Sequence, residues 1–164
     1  MIGIGRGYAV EFHNVTISAQ QSMFYIKPAA DKICVIEHIT LGVAGIQANS
    51  GDAKEELLDI ELVYLPATVT VGSGGTSMTP NPKAVNDAAA GFTARVNDTT
   101  KATSSGTAVN RLSDAWNTRI PYIWLPPPED RDIVANAAAI VLNLNSTPSA
   151  SLTCNGTMTV RELP

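Results

Sequence analysis

The chain has 164 residues, 45% of them apolar and only 16% charged, well below the usual quarter. Eleven Lys and Arg stand against 15 Asp and Glu, for a net charge of −4 with no basic block. A nucleic-acid groove is therefore not expected. The longest apolar runs fall far short of a membrane span, and no positive start precedes an apolar stretch at the N terminus.

Residues 1–7 contain three glycines and read as a flexible N-terminal arm ahead of one domain spanning 8–164. Tyr8, Val10 and Phe12 alternate with polar residues, the mark of a half-buried strand. The phase then slips to Val15 and Ile17, which predicts a bulge near His13 and Asn14. A short strand follows over 23–28, closed by Pro28. The strongest strand spans 31–41: Ile33, Val35, Ile39 and Leu41 share one face, interrupted by Glu37, and Cys34, Ile36 and His38 share the other. Residues 42–54 are a turn-rich connection. Over 57–65, Leu58, Ile60, Leu62 and Tyr64 face one way, with Asp59 and Glu61 opposite.

Residues 66–106 form a long excursion rich in Gly, Ser, Thr, Asn, Pro and Ala. Connections this long in a compact domain are usually functional or disordered. Residues 67–71 extend pairing briefly, and the Gly-Ser-Gly-Gly run at 72–75 releases the chain. Pro80 and Pro82 exclude a sheet interior. Residues 83–91 suggest one helical turn stopped at Gly91, and 92–96 a strand. The excursion is expected to become an ordered arm fixed against a neighbouring molecule.

Strand character resumes over 107–116 and over the aromatic run 119–125. Pro126, Pro127 and Pro128 then impose a stiff loop. Ala138, Ile140, Leu142 and Leu144 alternate with Ala139, Val141 and Asn143. In the last strand Leu152, Cys154, Met158 and Val160 share a face, with a bulge suggested at Gly156. Eight or more short strands without a sustained helix predict an all-β fold, a single jelly-roll-like antiparallel β-sandwich.

Catalytic and metal-binding patterns are sparse. His13 and His38 lie near Glu11 and Glu37, but two histidines supply a metal site poorly. The serines lack a nucleophile elbow, and the Gly-rich run lacks the lysine of a phosphate loop. The acidic run Asp52, Glu55, Glu56, Asp59 and Glu61 lacks calcium-loop spacing. Cys34 and Cys154 make neither a disulfide scaffold nor a metal site and are expected as buried thiols. No catalytic residue, cofactor or metal is assigned, and the chain is read as non-enzymatic. Large aromatics favour interface centres, and stiff loops lose little entropy on docking. The candidate interface residues are accordingly Pro80, Pro82, Phe92, Trp116, Tyr122, Pro127 and Pro128. Trp116 is expected at the surface and Trp124 in the core.

The order of features resembles small jelly-roll-like structural proteins of tailed bacteriophages and prophages, among them capsid decoration and minor capsid proteins. The pieces that carry it are VIEHITLG at 35–42, GDAKEELLDIELVY at 51–64, GSGGTSMTPNPKAVNDAAAGFTARVNDTT at 72–100, SSGT at 104–107 and YIWLPPPEDRDIV at 122–134. The resemblance implies a virion protein made in the host cytoplasm and placed on the capsid exterior. It implies contacts to self as a homotrimer and to the major capsid protein, and brings no catalytic residue with it. A tail, fibre or baseplate module that binds a receptor or glycan is the alternative.

Overall fold

The computed structural model describes residues 5–44 and 55–164; the expected connection at 45–54, Asp52 included, and the first four residues of the N-terminal arm lie outside them. Among the described residues fourteen strands run in chain order. The first four are β1 (Arg6–Ile17), β2 (Gln21–Pro28), β3 (Ile33–Val43) and β4 (Leu57–Leu65). The excursion supplies β5 (Val69–Thr70), β6 (Thr76–Met78), β7 (Asn81–Pro82), β8 (Phe92–Asp98) and β9 (Thr103–Ser104). The rest are β10 (Val109–Asn117), β11 (Tyr122–Trp124), β12 (Ile133–Ala135), β13 (Ala139–Leu144) and β14 (Leu152–Leu163). A 3-10 turn, Pro128–Asp130, separates β11 from β12.

Two antiparallel sheets face each other. One has the order β11-β3-β14-β1-β7, with β12 also on β3; the other has the order β10-β4-β13-β2-β8-β6. Successive strands β1, β2, β3 and β4 alternate between the sheets, and β13 and β14 return to the middle of each. That is the jelly-roll path, two Greek keys wrapped into a sandwich. Inward side chains from both sheets form one core, including Tyr8, Phe24, Ile36, Ile60, Leu142 and Met158.

Strand faces follow the alternation except where a bulge resets it. In β1 the register shifts between Phe12 and Val15, and Asn14 takes φ 51°, as the phase slip predicts. In β3 Thr159 pairs with His38 but Val160 with Ile36, so Glu37 is an extra residue. The expected faces of β3 are therefore corrected. Cys34 and Ile36 point inward before the bulge and Ile39 and Leu41 after it, all buried, while Ile33 and Val35 are only half-buried. Gly156 is not a bulge. It pairs in register with Phe12 and Leu41, and a Cβ there would lie 2.5 Å from the Phe12 ring. The missing side chain is the seat of that ring.

The N-terminal strand begins at Arg6, inside the span expected as an arm. The excursion folds onto its own domain through β8, which pairs with β2. Phe92, Ala94 and Val96 of β8 point into the core and are buried, and burying each of the two larger ones is worth about 1.5–3 kcal/mol. The small sheet β5-β9 covers the outer face of the second sheet. There Tyr25, Val63, Leu65, Val141 and Ala139 form a second apolar cluster with Val69.

The Gly-rich run does not release the chain. A Cβ at Gly75 would meet the Val96 carbonyl oxygen at 2.2 Å, and one at Gly72 the Thr100 carbonyl oxygen at 2.4 Å. These glycines let backbone lie against backbone. The buried Asp98 carboxylate secures the contact: it accepts from the Gly75 N–H at 3.1 Å and from Arg95 Nη2 at 2.7 Å. Residues 83–91 form only a turn, with the Asp87 N–H donating to the Ala84 carbonyl at 3.0 Å. The Gly91 N–H is held by the Glu162 carboxylate rather than ending a helix.

Candidate interaction surface

The candidate interface residues divide between opposite edges of the sandwich. Pro80, Pro82 and Phe92 belong to the edge carrying β6, β7 and β8; Trp116, Tyr122, Pro127 and Pro128 belong to the edge carrying β10, β11 and β12. They do not form one surface.

At the first edge, Phe92 stacks edge-on against Tyr8, with ring centroids 5.5 Å apart at 83°, and Pro80 is buried. Burial raises the Tyr8 pKa first, with the Glu162 charge adding to it; its hydroxyl donates to the Ala88 carbonyl at 2.9 Å. Only Pro82 is exposed, opposite Tyr8 on the edge of the first sheet. A cleft of about 410 Å³ opens here between β1 and the excursion, with Phe12, Val15, Met78 and Val96 among its walls. His13 and Glu11 also line it, 3.7 Å apart. Among the described residues no group of three or more His, Cys, Asp or Glu gathers as a metal site.

At the second edge Trp116 is 1% exposed, contrary to the expectation that it lies at the surface. Its indole Nε1–H donates to the Ile120 carbonyl at 3.0 Å, so the ring fills the core while its one polar atom is satisfied. Trp124 is half-buried and packs against the core. Tyr122 is also buried, and among the described residues its hydroxyl has no hydrogen-bond partner. Burial, with Asp114 nearby, drives its pKa upward.

What remains exposed at this edge is a row the sequence reading does not anticipate. Ile123 is 63% exposed, Leu125 65% and Ile133 57%. Ile123 pairs with Thr40 and Ile133 with Val35, positions of β3 that alternate with its buried residues. The row therefore lies on the outer face of the first sheet. Pro127 and Pro128 are exposed between its members. A signal exists in the sequence: both phases of 122–125 are apolar, and a sandwich edge buries only one of them.

The Pro-rich loop is clamped from below. Glu37, thrown out of register by its bulge, accepts from Arg131 Nη1 at 2.6 Å and from Arg161 Nε at 2.8 Å. Arg131 lies just before β12, so this pair of charge-assisted bonds ties the loop to β3 and β14. Arg111 lies over the Tyr64 ring at 5.3 Å and 3.7 Å from Asp132. Burial raises the Asp132 pKa, and Arg111 opposes the rise.

The neighbouring strand β10 is guarded against pairing. It carries a register shift around Arg111, and the Ala115 N–H is taken at 2.8 Å by the Asp114 carboxylate. Bulges and charges of this kind blunt an exposed strand edge. Compared with known protein families and with curated proteins, the chain matches none.

Proposed function

We propose that the chain is a non-enzymatic structural protein of a virion, docking on the outer surface of the head as a decoration or cement protein. One observation carries the reading most: the exposed row Ile123, Leu125 and Ile133 sits on a stiff segment of a jelly roll that Arg131 fastens to Glu37. Such a row is preorganised, so docking costs little ordering entropy. The low charge content supports the same reading, as does the resemblance carried by the 35–134 motifs. Its partners are the major capsid protein and other copies of itself, as a homotrimer. The alternative, a tail, fibre or baseplate module that binds a receptor or glycan, looks for an exposed Trp116 or Tyr122 beside a polar groove, and both rings are buried.

The test is the position and copy number of the protein in purified particles. A fixed high copy number on heads is expected, and Ile123→Asp with Leu125→Asp should abolish incorporation while the free protein stays folded. Recovery only from tails, or unchanged incorporation of the folded double variant, overturns the proposal.

A further inference from the structure

The outer face of the second sheet brings a lysine onto an asparagine. In the β4–β13 register Glu61 lies opposite Asn143 and Ile60 opposite Leu144; the Asn145 N–H then donates to the Asp59 carbonyl at 2.8 Å. Ile60 and Leu144 point into the core, so Asp59, Glu61 and Asn145 share the opposite face. The end of the excursion delivers Lys101 to this face. Thr100 is fixed to Ser73 by two backbone hydrogen bonds, and Ala102 packs against the outer apolar cluster. Between them, Lys101 Nζ lies 2.6 Å from Asn145 Oδ1.

We propose that Lys101 and Asn145 join in an intramolecular isopeptide bond, with Glu61 carrying the proton. The nucleophile and its electrophile are in contact, and Glu61 lies on the same face. Oδ1 is bonded to the carboxamide carbon Cγ, so the amine stands beside its electrophile. Burial lowers the Lys101 pKa and favours the neutral, nucleophilic amine, while the Glu61 and Asp59 charges oppose this from close by. Partly desolvated lysines serve as nucleophiles for the same reason.

The step balances without an oxidant. The Lys101 ammonium gives a proton to the Glu61 carboxylate, and the free amine attacks Cγ. The Cγ–Nζ bond forms, Nζ passes a second proton to Nδ2, the Cγ–Nδ2 bond breaks, and Glu61 returns its proton to the ammonia that leaves. One ammonium is consumed as lysine and one is released as ammonium ion. The product links the end of the excursion to the β13–β14 turn across 44 positions of sequence. This inference is independent of the proposed function.

The test is the intact mass of the folded full-length chain, measured after denaturation and followed by peptide mapping. The expected mass is that of the sequence less one ammonia, with a branched peptide joining Lys101 to Asn145. Lys101→Arg and Asn145→Ala should restore the full mass expected for each variant. Glu61→Gln, folded by circular dichroism, should lose the linkage. A folded wild-type chain of full sequence mass with separate Lys101 and Asn145 peptides overturns the inference. So does ammonia lost within the Asn145 peptide alone, and a Glu61→Gln variant that links as the wild type does removes Glu61 from its role.

Discussion

Replacing Gly156 by Ala tests how the core is built. The inward row of β14 is Leu152, Cys154, Gly156, Met158 and Val160, and the Phe12 ring fills the gap left by the glycine. An added Cβ would stand 2.5 and 2.6 Å from two Phe12 ring carbons and 3.0 Å from one of Phe24. Carbon atoms prefer about 3.5–4.0 Å, so the Phe12 ring must retreat by roughly 1 Å. It has little room, being 4% exposed and tilted against Phe24 with centroids 5.3 Å apart. Overpacking of this kind costs about 1–3 kcal/mol. The gain of alanine over glycine in a strand returns about 0.5–1 kcal/mol. The expected net loss is centred on about 1 kcal/mol and reaches at most about 2.5 kcal/mol, or roughly 2–10 °C in Tm for a chain of this size.

Urea unfolding followed by tryptophan fluorescence reads this as a lower midpoint with an unchanged slope. Phe12→Leu in the same background should recover part of the loss, since contacting residues couple by about 0.5–3 kcal/mol. A Gly156→Ala variant as stable as the wild type would refute the reasoning. Strict additivity in the double variant would do the same.

Two further outcomes follow from buried groups. Burial pushes both the Cys34 and the Cys154 thiol up from 9.0 to about 12, with the Glu162 charge adding to the effect at Cys34. Between those values the folded state holds protons that the unfolded state has lost, so stability should fall as pH rises from 9 toward 12. The slope is up to about 1.4 kcal/mol per pH unit for each thiol; below pH 9 this contribution is fully present. Unfolding midpoints across this range check the sign, and a stability that rises through it would overturn the assignment of both thiols to the core. Asp98→Ala should cost about 3–5 kcal/mol, because it strands Arg95 and the Gly75 N–H around a buried vacancy. Limited proteolysis should then cut within 72–75, and an uncut variant of wild-type Tm would show that Asp98 does not hold that segment.

Much of the sandwich was legible in the residues. Period-two alternation identifies the inward faces of β1, β4, β13 and β14, because a strand half-buried in a sandwich must present every second side chain to the core. The slip from Phe12 to Val15 locates the first bulge for the same reason. Alternation failed at Glu37, where both faces of β3 are apolar on one side of the bulge and only the partner strand decides which residue is extra. The apolar row of the candidate surface was hidden by a related ambiguity: in 122–125 either phase could have faced inward.

The excursion shows most clearly where the sequence ends and the tertiary structure begins. Its glycines, prolines and small residues specify irregular backbone, and Phe92 and Val96 specify a strand within it; both were readable locally. Whether that strand completes its own domain or another molecule depends on which apolar surface lies within reach. The open edge of β2 and the Tyr8 ring, far away in sequence, provide that surface. The same holds for Gly156, whose lack of a side chain means a bulge, a bend or a seat until the ring that occupies it is known. Local propensity determined the strands and their inward residues; long-range packing, which no local pattern encodes, decided what each glycine and each aromatic ring is for.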